Sequence, residues 1–125
     1  MSSKYFLYLL LTIIGLSAFQ CPRKMNKIMM SKIGFDYSGI DEHGLRNGEV
    51  AVDYEFCIPS EEAYLNQIMR IAPEIKVMKN SKGRIGCTGQ QWLMINSTHS
   101  SEWKKQLHAI AYLDFVERIE ETFYE

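Results

Sequence analysis

The chain has 125 residues, with 14 basic against 15 acidic side chains, 46% hydrophobic and 12% aromatic content. That length fits one compact domain, and the aromatics, the three prolines and the lack of a heptad run exclude disordered, collagen-like and coiled-coil chains. A net charge of −1 gives the chain as a whole no pull toward nucleic acid or acidic lipid.

Residues 5–20 are uncharged, rich in Leu, Ile, Phe and Tyr, and preceded by Lys4. The run is shorter than the ~20 apolar residues of a spanning helix and has the form of a secretory h-region. Residues 1–21 are therefore expected to be a signal-peptide-like or membrane-anchor segment. Cys21 follows the run as a lipid-bearing cysteine would, although Phe19 and Gln20 depart from the small residues of such a box. Arg23, Lys24, Lys27 and Lys32 outnumber Lys4, which opposes export. Translation from Met25, Met29 or Met30 would give a cytoplasmic product. The favoured expectation is an exported or membrane-tethered protein that meets the membrane only through this segment.

Residues 22–49 carry Gly34, Gly39, Gly44 and Gly48 without sustained periodicity and are expected to be a flexible linker. Their scattered acids lack the alternation of a calcium loop. A patterned domain is expected over residues 50–125. Residues 50–58 alternate, with Tyr54 and Phe56 on one face and Asp53, Glu55 and Cys57 on the other, which predicts a half-buried strand ended by Pro59. Ser60 is a candidate N-cap for a helix in which Tyr64, Leu65, Ile68, Met69 and Ala72 recur until Pro73. Residues 75–79 form a short strand, 80–83 a turn and 84–87 an extended piece. Residues 92–96 form a strand with Leu93 and Ile95 opposing Trp92 and Met94. A second helix buries Trp103, Leu107, Ile110 and Ala111, and residues 116–124 close the chain as a strand.

The order strand-helix-strand-strand-helix-strand predicts an α+β fold, a ferredoxin-like βαββαβ sandwich whose antiparallel sheet carries two helices on one face. The first and third strands are expected to be parallel central neighbours, with the second and fourth as edges. In that arrangement Cys57 and Cys87 lie about a strand length apart and do not pair. The same arrangement gathers Cys57, Ser60, Asn96, Thr98, His99 and Ser100 at one end. A Cys57–His99 pair there would be a nucleophile with its base, the basis of an alternative reading as a thiol-dependent enzyme. The Cys and His residues lack ligand spacing, so neither metal nor cofactor is expected. Residues 83–89 are Gly-rich but lack the Gly-Lys-Ser/Thr ending of a phosphate loop, and read as hairpin chemistry.

The face without helices is expected to present Asp53, Glu55, Trp92, Met94 and Met78, together with Lys76, Arg118 and Glu120. A single aromatic beside two acids argues against nucleic acid. Trp and Met instead suit a protein or small-molecule partner, so these five residues are the expected binding surface. Lys76, Lys79, Lys82 and Arg84 mark one edge as basic, while Glu117, Glu120 and Glu121 mark the other as acidic, a distribution that deters strand pairing between chains. The closing residues 115–121 resemble the end of subtilisin-type propeptides, which implies a protease inhibitor as a further alternative. The leading reading is a small non-catalytic binding or interaction module.

Overall fold

A computed structural model describes residues 27–124, so the segment expected over residues 1–21 lies outside the described residues. The elements run in the order α1 (Lys27–Ser31), β1 (Leu45–Arg46), β2 (Val50–Ala51), β3 (Asp53–Pro59), α2 (Glu62–Ile71), β4 (Lys76–Met78), β5 (Gln91–Ser97), α3 (Trp103–Ala111) and β6 (Ile119–Glu121). They make a small α+β domain. Strands β1 and β2 form a hairpin, and the other four form an antiparallel sheet in the order β4-β5-β3-β6.

Strand β3 is central, and its alternation drives Tyr54, Phe56 and Ile58 to complete burial. They meet Ile68 of α2 and Trp103, Leu107, Ile110 and Ala111 of α3 in one core, which Met94 and Ile119 join from the flanking strands. The helical face foreseen for α3 is thus the buried one. Helix α2 begins one residue later than its expected cap: Glu61 holds the N-cap position in an extended conformation, with no side-chain capping bond.

Three expectations are corrected. The first concerns direction: β3 and β5 are antiparallel neighbours, with Cys57 opposite Leu93 and Tyr54 opposite Asn96. The crossover through α2 leaves β3 and β4 running the same way, and the following reversal turns β5 against both.

The second correction concerns facing. Directly opposed residues in an antiparallel pair share a face. Met94 therefore lies with Phe56 in the helix-side core, and Trp92 packs against that core with Ile58. Leu93 and Ile95 occupy the other face with Cys57 and Glu55.

The third correction concerns residues 27–49. Ile33 and Ile40 are buried in the main core, and Phe35 and Tyr37 pack against it. Gly34 N–H donates to the Ile119 carbonyl (2.8 Å) and Ile119 N–H to the Lys32 carbonyl (2.7 Å), so this segment extends the sheet along β6, the acidic edge. Asn47 and Gly48 both take positive φ (56° and 70°), and Glu49 N–H donates to the Arg46 carbonyl, which closes the β1-β2 hairpin. Gly44, at φ 79°, lies so close to Thr98 that a Cβ would sit 1.6 Å from the Thr98 carbonyl oxygen. The Thr98 hydroxyl donates to the Gly44 carbonyl (2.7 Å) and accepts from Val52 N–H (2.8 Å). Trp103 Nε1 donates to the Asp41 carbonyl (3.1 Å), tying the same arm to α3.

Candidate functional site

The face away from the helices is partly covered by the connection between β4 and β5. Cys57 and Cys87 are joined in a disulfide with Cα atoms 5.6 Å apart. Antiparallel pairing makes this possible, since the end of β3 meets the start of β5 rather than its finish. Around the bond, Ile85, Cys87 and Leu93 form a small second core with Cys57 and Ile95. Glu55 is only 2% exposed and its Oε2 accepts the Ile85 N–H (3.2 Å), while the Arg118 guanidinium donates to the Ile85 carbonyl. Gly83 sits at φ 61°, where a Cβ would come within 2.3 Å of Glu55 Oε2. The close approach of this loop to the sheet thus depends on glycine.

The expected catalytic pair is not assembled. The Cys57 sulfur is taken up by the disulfide. His99 lies beyond Ser97, which pairs with Asp53 at the opposite end of β3 from Cys57. The expected binding surface is likewise dispersed. Met94 is fully buried, Glu55 lies beneath the loop, and Trp92 faces the helix side with Lys79 Nζ 4.2 Å from its ring centroid. Met78 remains exposed on β4 and Asp53 half-exposed on β3.

A cavity of about 540 Å³ opens at the other end of the sheet, where β5 finishes and β3 and β4 begin. Asp53, Lys76, Asn96, His99, Ser100 and Gln106 line it over an apolar floor of Ala72, Pro73 and Ile95. Asn96, His99 and Ser100 come together as the sequence suggests, but with Asp53 and Lys76 in place of Cys57, Ser60 and Thr98, the last being buried against Gly44 and Val52. The buried Asn96 amide is fixed by two donated bonds, to the Tyr54 hydroxyl (2.8 Å) and to Gln106 Oε1 (3.3 Å). Burial raises the Tyr54 phenol well above its ordinary pKa, with the Asn96 bond opposing that rise, so Tyr54 stays a neutral prop behind the cavity wall. Ser97 Oγ accepts the His99 N–H (3.1 Å), and Ser100 Oγ accepts the Glu102 N–H (3.1 Å).

The cavity therefore offers an ammonium, carboxylates from Asp53 and Glu74, an imidazole and neutral donors over a small apolar floor. That set can hold a polar molecule by several directed bonds. Asp53 also anchors the chain end: Tyr124 Oη donates to its Oδ2 (2.6 Å), which pushes the exposed Tyr124 phenol up to about 12. Sequence reasoning did not bring Lys76 to Asn96 and His99, because a parallel pairing puts the start of β4 at the other end from the finish of β5. Among the described residues no cluster of His, Cys, Asp and Glu could hold a metal ion, and no helix is long and apolar enough to cross a membrane. Compared with known proteins, the chain matches no family model, no curated protein and no solved structure.

Proposed function

We propose that the chain is a non-catalytic binding module of ferredoxin-like βαββαβ fold, exported or tethered at the membrane through its N-terminal segment, that takes a small polar ligand in the cavity bounded by Lys76, Asn96, His99 and Gln106. The carrying observation is that cavity, a concave space of about 540 Å³ in the size range of small-molecule sites, whose mainly polar lining suits a polar ligand. The strand order β4-β5-β3-β6, with helices after β3 and β5, supports the fold reading. A disulfide of this kind persists in oxidising compartments, which supports export alongside the uncharged run over residues 5–20. A non-catalytic role fits a cysteine held in a disulfide and a histidine at the far end of the sheet.

The test is an amide-resolved NMR titration of the full chain in detergent micelles with a panel of free amino acids, hexoses and dicarboxylates. Saturable shifts at Ser97, His99 and Gln106 are expected for at least one probe, and weaker binding of it by Lys76→Ala. A panel that binds elsewhere, or nowhere, overturns the reading. Export is tested separately by fusing residues 1–30 to a phosphatase that is active only outside the cytoplasm; an inactive fusion overturns that part.

A further inference from the structure

We propose that Cys57 is a thiol–disulfide exchange site, the sulfur at which an external dithiol opens and re-forms the bridge to Cys87. The reagent reaches it through a cavity of about 220 Å³ on the face away from the helices. Cys57 forms part of its wall, with Gly86 and Thr88 from the loop, Gln91 from the start of β5, and Glu117 and Arg118 ahead of β6. The two ends of the bridge are unequally placed. Cys87 is 2% exposed and buried with Ile85 and Leu93, whereas Cys57 is half-buried and packs against that small core from outside. Exchange depends on which sulfur a thiolate can reach. A bridge enclosed at both ends offers no route; this one offers a route to one end.

The step balances without a further reagent. The first thiolate of the dithiol attacks Cys57 Sγ, the bond to Cys87 breaks, and Cys87 leaves as a thiolate that takes up a proton. A mixed disulfide now stands on Cys57. The second thiol of the reagent gives up its proton and attacks the reagent's own sulfur in that mixed disulfide. This closes the reagent's disulfide and releases Cys57, which is protonated in turn. A pair of electrons and a pair of protons have passed from the dithiol to the bridge. The disulfide form of the same reagent runs the sequence backwards, starting from the Cys57 thiolate.

The loop is also held in a way that permits the return step. The Gly86 and Cys87 N–H groups both donate to the Lys82 carbonyl (3.1 and 2.8 Å). Glu55 accepts the Ile85 N–H, and Arg118 donates to the Ile85 carbonyl. None of these bonds involves a sulfur atom, so they outlast the bridge and keep Cys87 close to Cys57 while the bond is open.

The experiment treats the full chain in detergent micelles with reduced glutathione, a monothiol probe that stops at the mixed disulfide, and locates the label by an acid-quenched peptide map. Early in the reaction Cys57 should carry about tenfold more glutathione than Cys87, with any label on Cys21 counted apart. Equal labelling, or an excess on Cys87, overturns the inference. So does a bridge reduced at a rate that no longer rises with glutathione concentration, since unfolding of the domain would then set the pace. Charge tests the route. The cavity is lined by one acid and one base, and Glu117 is exposed. Glu117→Lys makes the lining cationic, so reduction by anionic 2-mercaptoethanesulfonate should rise several-fold relative to reduction by neutral 2-mercaptoethanol. Taking the ratio of the two rates in one variant cancels any change in its stability. An unchanged ratio overturns entry through this cavity.

Discussion

The two faces of the four-stranded sheet are covered by different physics. On the helix side sixteen buried residues, spread in sequence from Ile33 to Ile119, form one core. On the other side only Ile85, Cys87 and Leu93 are buried together. Burial at about 25 cal/mol per Å² of apolar surface can hold two helices against the first face. Three small contacts cannot oppose the conformational freedom of a long connection in the same way. There a covalent bond, a buried carboxylate accepting the Ile85 N–H and the Arg118 bond to the Ile85 carbonyl do the holding. One face is closed by area, the other by a few specific links.

Removing a large side chain from the first face should therefore be the most damaging change. Trp103 is 3% exposed and its indole donates to the Asp41 carbonyl, so Trp103→Ala should cost about 3–5 kcal/mol in denaturant melts. Trp92, half-exposed under Lys79, should cost clearly less on the same change. The reverse ranking would mean that the helix-side core leans on the end of β5 more than on α3.

The second face should answer to its covalent link. The disulfide closes a loop of 30 residues in sequence. Loop-closure entropy then makes the Cys57→Ser, Cys87→Ser double variant about 3–4 kcal/mol less stable. Hydrogen exchange sharpens the comparison. Amides of residues 83–88 should lose protection well before those of α3 in the double variant, whereas Trp103→Ala should lower protection on both faces together. Simultaneous loss in both variants would show that the loop is part of the main cooperative unit.

A smaller effect is expected at Gly44, where the segment that carries Ile40 meets Thr98 and Trp103. Alanine there would be strained at φ 79° and would press its Cβ onto the Thr98 carbonyl. A loss of about 2 kcal/mol in Gly44→Ala is the expected outcome, in the range of backbone-strain changes. An unchanged melt would show that the arm contributes nothing to the core despite the burial of Ile40.

Much of this architecture is legible in the sequence, and the exceptions share a cause. Period-two alternation in β3 and helical spacing in α3 identify Tyr54, Phe56, Trp103 and Leu107 as core, because one face of each is plainly apolar. Strand β5 is apolar on both faces, with Trp92 and Met94 on one and Leu93 and Ile95 on the other, so alternation cannot orient it and only the register with β3 does. The disulfide and the membership of the cavity follow from strand direction, a long-range property that no local pattern carries. The Asn47-Gly48 pair, by contrast, is a local hairpin signal that was open to reading, and with it the end of the supposed linker.

The mildest test lies at the rim of the helix side, at His108. Its ring meets Tyr37 edge-on with centroids 5.8 Å apart, and its Nε2 is buried without a hydrogen-bond partner among the described residues. Burial first, and the Lys104 ammonium second, lower its pKa below the ordinary 6.5. A base with a depressed folded-state pKa makes the unfolded chain the better proton acceptor between the two values, so stability rises with pH across that window. The contribution is complete above pH 6.5 and is lost as pH falls from there toward the folded-state pKa; below that value no more is lost. His108→Gln removes the titration but leaves a neutral polar side chain in place. Melts at pH 7.5 and 5.5 should thus differ less for the variant than for the native sequence. Because only a half-buried imidazole is involved, the difference should be the smallest of those described, and equal pH dependence in the two chains would show that the ring can turn its Nε2 to water at no cost.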